Sequence, residues 1–188
     1  LLPAGNLREP FLGYQRANAI MVTKSPEQLQ ANEKATIAQK FDLKTDQDLF
    51  FSSINYGVLT PLFSGQLPVD FKDEDVFLLT GIANPKPLLH HLSKVCKVVA
   101  HLEYPDHHQF TLKNIQNLVN QFNRHAASKK IIVTTEKDSQ RLIGEKFKDL
   151  LLFLPIYYLP IEITLATEDK FHFDKKILDY VTSNKRIG

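Results

Sequence analysis

Residues 76–85 have the sequence VFLLTGIANP, in which a short apolar run passes directly into a polar turn. The run 76–79 ends at turn residues, so it predicts a short buried strand. Asn84 can cap a helix that follows, with Pro85 at the first helical position, where its missing N–H needs no partner. The stretch therefore predicts a strand, a turn at Gly81 and a helix, which is the repeating unit of an α/β sheet.

The same alternation continues toward the C-terminus. Further strands are predicted at residues 96–100, 131–134, 150–154 and 161–165. Helices are predicted at residues 85–94, 112–125, 137–147 and 175–183. Short β-branched runs that alternate with helices are typical of a mostly parallel sheet covered on both faces. The fold class is therefore predicted to be α/β, with a mostly parallel, Rossmann-like sheet.

The helix at 112–125 has the clearest start signal in the chain. Thr111 can cap it, and Phe110 and Ile115 occupy the two positions of a hydrophobic staple. The segment Tyr104-Pro105-Asp106-His107-His108 lies directly before this start. The sequence therefore places it in the loop between the end of a strand and the beginning of a helix.

The pattern before residue 76 is less regular. A strand is predicted at 19–23, followed by a helix at about 26–40 that begins after Ser25. The runs 49–54 and 58–63 flank a turn sequence and predict a β-ribbon.

The chain is accordingly predicted to have three parts. An N-terminal extension covers residues 1–45, and the short β-ribbon serves as a linker at 46–70. The α/β domain covers residues 71–188.

Composition excludes several classes of protein. The 188 residues include 23 basic and 21 acidic side chains, a net charge of +2, and give no sign of a nucleic-acid-binding face. Cys96 is the only cysteine, so no internal disulfide can form and a reducing compartment is expected. No run of 18 apolar residues occurs, which argues against a transmembrane helix and favours a soluble chain. Because the sequence opens on LLPAG without methionine, we expect it to be part of a longer protein.

Three polar loops follow strands of the predicted sheet, at residues 80–85, 104–108 and 134–138. The carboxyl ends of parallel strands lie along one edge of a sheet, where ligands bind in open α/β folds. We therefore expect the three loops to meet. Together they would gather carboxylates, histidines, a lysine and the free N–H groups of helix N-termini, which favour phosphate.

Each loop also has a purely structural interpretation. Gly81 can serve a turn, and Thr135 with Asp138 fits a helix-capping box. His107 and His108 can be solvated loop residues, and an aspartate beside paired histidines can also bind a metal ion. The chain contains neither Gly-x-x-x-x-Gly-Lys-Ser/Thr nor Gly-x-Gly-x-x-Gly. If it takes part in nucleotide chemistry, another segment must hold the triphosphate.

Four motifs occur in order: LPAGNLREP at 2–10, TGIANP at 80–85, PDHHQF at 105–110 and TEKD at 135–138. The series resembles the C-terminal part of the tetraacyldisaccharide 4′-kinases, the lipid A pathway kinases of Gram-negative bacteria. Any one of these motifs is weak, whereas four in the right order are specific. One departure is visible at Asn6, where the family more often has proline.

The resemblance implies transfer of the γ-phosphate of ATP to the 4′-hydroxyl of a tetraacyldisaccharide 1-phosphate, at the cytoplasmic face of the inner membrane. ATP and Mg²⁺ would be held mainly by an N-terminal domain that carries the phosphate loop and the membrane contact. The 188 residues alone are therefore expected to be soluble and inactive. No nucleic acid partner is expected.

The resemblance also implies roles for particular residues. His107 would form a base dyad with an aspartate of the N-terminal domain, and Asp106 would orient the loop. The residues implied to face the nucleotide or the substrate are Arg8, Glu9, Gly81, Asn84, Thr135, Glu136, Lys137 and Asp138.

Two other functions remain open. Asp106-His107-His108 is also the name-giving motif of the manganese-dependent DHH phosphoesterases, and Asp46 with Asp48 offers an upstream ligand pair. In that family the motif normally ends an apolar strand directly, whereas here residues 103–105 intervene. The other alternative is a non-catalytic α/β binding domain.

Overall fold

The computed structural model describes residues 10–67 and 70–184. Its helices and strands follow one another in the order β1 (Ala19–Val22), α1 (Ala31–Ala38), β2 (Asp48–Tyr56), β3 (Thr60–Pro61), β4 (Asp75–Thr80), α2 (Lys86–Ser93), β5 (Lys97–Glu103), α3 (Leu112–Arg124), β6 (Lys130–Thr135), α4 (Glu136–Leu142), α5 (Glu145–Leu151), β7 (Ile156–Leu159), β8 (Ile161–Leu165) and α6 (Thr167–Asn184). Short 3-10 turns cover Phe11–Arg16 and Phe71–Asp73. Within these ranges, none of the helices combines the length and apolar content that crossing a membrane requires.

The chain forms two compact units. One consists of Leu1–Asn55 together with Glu162–Gly188, and the other of Tyr56–Ile161. These limits differ from the predicted parts 1–45, 46–70 and 71–188, because the predicted linker is divided between the units and residues after 161 join the first one. Assignment of the three predicted parts to separate roles stays a prediction.

The second unit is built on a five-stranded sheet with the order β3-β7-β6-β4-β5. Strands β4, β5, β6 and β7 are parallel to one another, and only β3, which pairs with β7, runs antiparallel. Alternate residues of β4 face opposite sides: Phe77 packs with helices α3 and α5, whereas Leu78 packs with α2. The predicted α/β sheet with helices on both faces is confirmed.

The first unit contains a separate three-stranded sheet with the order β1-β2-β8. The predicted β-ribbon is therefore wrong, because β2 and β3 belong to different sheets. The residues between them lack the Asn-Gly or Asp-Gly pair of a tight hairpin. Instead, strand β2 continues to Tyr56, and the Gly57 N–H donates to the carbonyl of Pro160 at 2.9 Å.

The predicted strand at 150–154 is also wrong, because residues 150 and 151 end helix α5 and residues 152–154 form a turn after it. Phe147 and Leu151, four residues apart, lie on one helical face and are both buried. Strand β7 begins only after Pro155, whose carbonyl accepts from the Ile132 N–H at 2.9 Å. A short apolar run fits a buried helix turn as well as a strand, so periodicity alone did not separate them.

Several predicted boundaries shift, most of all that of the final helix, which covers Thr167–Asn184 instead of 175–183. Helix α1 begins at Ala31 with a capping box of Gln30 and Glu33, while the Ser25 hydroxyl donates to the Val22 carbonyl instead of capping a helix. The predicted helix 137–147 is broken at Gly144 into α4 and α5. Strand β5 continues to Glu103, so only Tyr104 and Pro105 separate it from the Asp-His-His sequence.

The predicted start of helix α3 is confirmed. The Thr111 hydroxyl accepts from the Asn114 N–H at 3.2 Å, and the Asn114 side chain accepts from the Thr111 N–H at 2.9 Å. Phe110 and Ile115, the two staple residues, are buried. This start fixes the point at which the loop after β5 must enter the helix.

Candidate functional site

Three loops meet at the carboxyl edge of the five-stranded sheet, as predicted. They follow β4, β5 and β6, and β4 lies between the other two strands. The Tyr104 N–H donates to the Thr80 carbonyl at 2.8 Å, and the His107 N–H donates to the Gly81 carbonyl at 3.2 Å. The Gly81 N–H donates to the Asp138 carboxylate at 2.8 Å. Two backbone hydrogen bonds and one bond to a buried carboxylate therefore hold the three loops together.

Asp138 is the buried centre of this arrangement. Its side chain is fully buried, and its Oδ2 accepts from the Thr135 hydroxyl at 2.7 Å as well as from Gly81. Its Oδ1 accepts from Nη1 of Arg141 at 2.9 Å. Thr135 also accepts from the Asp138 N–H and so caps α4. Both residues support the loops, and the predicted contact of Asp138 with a nucleotide or substrate does not fit its burial.

Gly81 is required by close packing. A Cβ atom at this position would lie 3.1 Å from Oδ1 of Asp138 and 3.4 Å from Cζ of Phe110. A side chain here would therefore push against the buried carboxylate that joins the loops. This supporting role differs from the predicted contact of Gly81 with a ligand, which stays a prediction.

The exposed part of the edge carries Asp106, His107 and Lys137. Nζ of Lys137 lies 2.9 Å from Oδ1 of Asp106. The His107 side chain is 74% exposed, with Nε2 at 3.6 Å from Oδ2 of Asp106 and 3.5 Å from Nζ of Lys137. On the other side of the ring, Nη2 of Arg141 lies 3.4 Å from Nδ1. The ring is open to solvent while both of its nitrogens are in contact with charged neighbours.

The backbone of His107 is held in an unusual conformation. Its φ of 60° lies in the left-handed region, which costs a non-glycine residue about 1–2 kcal/mol. The His107 N–H donates both to the Gly81 carbonyl and, at 3.0 Å, to Oδ1 of Asp106. These two hydrogen bonds hold the backbone of His107 in this conformation.

His108 has a structural role. Its ring stacks on Tyr104, with centroids 4.6 Å apart, and its Nε2 lies 3.0 Å from Oδ1 of Asn114. It therefore contacts the start of α3, while His107 faces the charged edge. The side chains of the two adjacent histidines point apart and therefore contact different parts of the structure.

The remaining residues predicted to face a ligand are either exposed or outside the described part of the chain. Asn84 and Glu136 are exposed, and the Asn84 side chain accepts from the Lys86 N–H at 3.3 Å. Helix α2 begins at Lys86, one residue later than predicted. Arg8 and Glu9 lie outside the described residues, and their roles stay predictions.

Arg141 was missed by sequence reasoning. It lies on α4, one turn after Asp138, and the i, i+3 spacing of the two residues was visible in the predicted helix. What the sequence did not show is that Arg141 also donates to the Gly81 carbonyl at 3.3 Å.

No group of three or more metal-binding side chains was found within residues 10–67 and 70–184. Asp48, proposed above as an upstream metal ligand, belongs to the first unit and pairs there with Lys176 and His172. The expected metal-ligand constellation of a DHH phosphoesterase therefore gains no support from the described residues.

The Lys137–Asp106 contact gives a pH-dependent prediction. The hydrogen bond from Lys137 lowers the pKa of Asp106, and the neighbouring His107 adds to the effect. Because this carboxyl pKa is lowered, the contact is intact above the ordinary value of about 3.9 and is lost as the pH falls through the depressed pKa. Lys137→Ala is expected to raise the pKa of Asp106 in a carbon-13 NMR titration, while Lys148→Ala leaves it unchanged. An Asp106 pKa that is the same in both variants would contradict this assignment.

Comparisons with known proteins agree with the resemblance noted in the sequence. A family model described as Tetraacyldisaccharide-1-P 4′-kinase matches residues 1–181. The tetraacyldisaccharide 4′-kinase of Phocaeicola vulgatus is 36% identical over 99% of this chain and 52% of its own length. That of Flavobacterium johnsoniae is 37% identical over 98% of this chain and 51% of its own length. The chain thus spans about half the length of the curated relatives it matches.

A solved structure supports the same fold. The crystal structure of "apo" form LpxK from Aquifex aeolicus in complex with ATP matches with a TM-score of 0.51 and 24% sequence identity. The match covers 91% of this chain and 45% of that chain. The alternative of a DHH phosphoesterase is not favoured by any of these similarities. Since one family model covers residues 1–181, the chain belongs to the tetraacyldisaccharide 4′-kinase family.

Proposed function

We propose that these residues form the C-terminal half of a kinase that transfers the γ-phosphoryl group of ATP to the 4′-hydroxyl of a tetraacyldisaccharide 1-phosphate. The relatives that share one third or more of their aligned residues with this chain are named for that activity. The observation that carries the proposal is the exposed His107, held at the carboxyl edge of the sheet beside Asp106, Lys137 and Arg141.

This arrangement suits phosphoryl transfer. Such a reaction depends mainly on alignment of the reacting groups and on neutralisation of charge, with one group accepting the proton of the attacking hydroxyl. His107 is exposed and can accept that proton, while Lys137 and Arg141 supply positive charge beside it. Asp106 holds Lys137 and the backbone of the His107 loop, and so orients the site.

The described residues can bind only some of the groups that the complete reaction requires. The cations Lys137 and Arg141 can accommodate phosphate oxygens. Among residues 10–67 and 70–184, however, no carboxylate cluster suited to Mg²⁺ was found. We therefore assign the triphosphate, Mg²⁺ and the aspartate partner of His107 to the other half of the protein. Contact with the inner membrane is proposed for that half as well.

An assay of phosphate transfer tests this division of roles. The complete protein and the 188-residue chain are each incubated with radiolabelled ATP and tetraacyldisaccharide 1-phosphate, and the labelled lipid is measured. The complete protein is expected to label the lipid, and the 188-residue chain is not. A complete protein that leaves this lipid unlabelled would overturn the proposed activity. Labelling by the chain alone would overturn the assignment of ATP to the other half.

A further inference from the structure

We propose that Arg141 is a positioning residue that fixes the His107 imidazole in the tautomer with its proton on Nε2. Nδ1 is then the unprotonated nitrogen, and hence the atom that can accept the hydroxyl proton. This inference rests on the proposed function, because it names the atom of His107 that performs the proposed step.

The guanidinium of Arg141 is held on its buried side. Nη1 donates to Oδ1 of Asp138 at 2.9 Å and lies 3.3 Å from the Gly81 carbonyl. Asp138 is fully buried and is itself fixed by Gly81 and Thr135, whereas the Arg141 side chain is 17% exposed. Because a guanidinium is planar and rigid, fixing Nη1 also restricts the direction of Nη2.

Nη2 is thereby directed to the ring of His107, 3.4 Å from Nδ1. A guanidinium has donors only and stays protonated in proteins. Nδ1 must therefore act as the acceptor in this contact. A neutral imidazole has one donor and one acceptor nitrogen, so the proton belongs on Nε2.

The opposite side of the ring is compatible with this tautomer. Nε2 lies 3.6 Å from Oδ2 of Asp106, an oxygen toward which an N–H can be directed. Lys137 lies 3.5 Å from the same nitrogen and would favour the other tautomer if it donated there. Its ammonium already donates to Asp106 at 2.9 Å, and its side chain is 44% exposed. Arg141 is more buried than Lys137 and is held by two acceptors, so its contact is the stronger constraint on the tautomer.

The tautomer determines the role of each ring nitrogen of His107 in the reaction. The Nε2 proton can be shared with a carboxylate, as a dyad with an aspartate requires, while the lone pair of Nδ1 receives the hydroxyl proton. In the free protein Nη2 of Arg141 lies at that lone pair, so the exposed His107 ring has to turn away from Arg141 when the hydroxyl takes this place. Arg141 then remains beside the reacting oxygen, where a positive charge stabilises developing negative charge.

Nitrogen-15 NMR of the imidazole groups tests the tautomer directly, at a pH where the rings are neutral. His90, which is exposed on α2, serves as the internal reference for a ring without an imposed tautomer. We expect Nδ1 of His107 to be more fully unprotonated than Nδ1 of His90. Arg141→Lys keeps a positive charge beside Asp138 but cannot bridge to the ring, so it should raise the protonated fraction of Nδ1 of His107, because Lys137 remains beside Nε2. Arg124→Lys is the matched control, because Arg124 is exposed on α3.

Three results would overturn the inference: equal tautomer ratios for His107 and His90, a proton on Nδ1 of His107, or no change in Arg141→Lys. The NMR result is independent of catalysis, so it separates failure of this inference from failure of the proposed function. In the complete protein, Arg141→Lys is expected to lower kcat by roughly tenfold with little change in KM, a smaller loss than removal of the base would cause. A fall in kcat without a change in tautomer would leave Arg141 a charge-supplying residue and overturn its positioning role.

Discussion

Replacing His107 by alanine in the complete protein is expected to lower kcat by about 10²–10⁴-fold, the usual contribution of a general base. The affinity for ATP should change little, because the substitution removes a proton acceptor and no phosphate-binding charge. Lys137 and Arg141 keep their partners Asp106 and Asp138 in this variant, so the loops should retain their arrangement. Steady-state kinetics with both substrates would measure kcat and KM separately.

His90→Ala provides the matched control for this experiment. His90 is an exposed histidine of the same unit, on α2, and has no role in the proposed chemistry. The control should retain the turnover of the unsubstituted protein. Unchanged turnover in His107→Ala would remove the base role from this residue, whatever the result for Arg141.

Removing the Asp138 carboxylate is expected to have the largest effect on stability. Asp138→Ala would leave Arg141 without its buried counter-charge and would remove the acceptor for Gly81 and Thr135. Breaking a buried ion pair by removing one partner typically destabilises a protein by about 3–5 kcal/mol. We expect a loss of this size in the free energy of unfolding, measured by urea denaturation and circular dichroism.

Asp149→Ala is the control for this second substitution. Asp149 is an exposed aspartate on α5, and exposed positions of this kind usually change stability by less than about 0.5 kcal/mol. Hydrogen exchange at β4 and β6 would show whether the loss occurs in the unit that contains the three loops. Equal unfolding free energies for the two variants would show that the buried carboxylate does not hold the loops together.

The parts of the fold that were predicted correctly depend on local signals. Strand β8 was predicted with its observed limits, and the capping of α3 by Thr111 follows from the residues around it. The wrong predictions concern features that depend on contacts with residues distant in the sequence. The apolar run at 150–154 fits a helix or a strand, and the partners of β2 come from distant segments.

The candidate site shows the same division. Its location followed from topology, because loops after adjacent parallel strands must share an edge. The roles within it depended on burial. Asp138 was predicted to face a ligand and is fully buried, while Arg141 gained significance only from its contacts with Asp138 and Gly81.

The placement of β8 beside β2 has a consequence for the order in which the chain folds during synthesis. Residues 57–160 separate these two strands in sequence, and all of them belong to the continuous unit. A ribosome must therefore release that whole intervening segment before the third strand of the smaller sheet exists. Since domains generally fold as units while the chain is being made, the five-stranded sheet and its loops can form first. Closure of the smaller sheet then becomes a late step, with the entropy of a long loop already reduced by the folded insert.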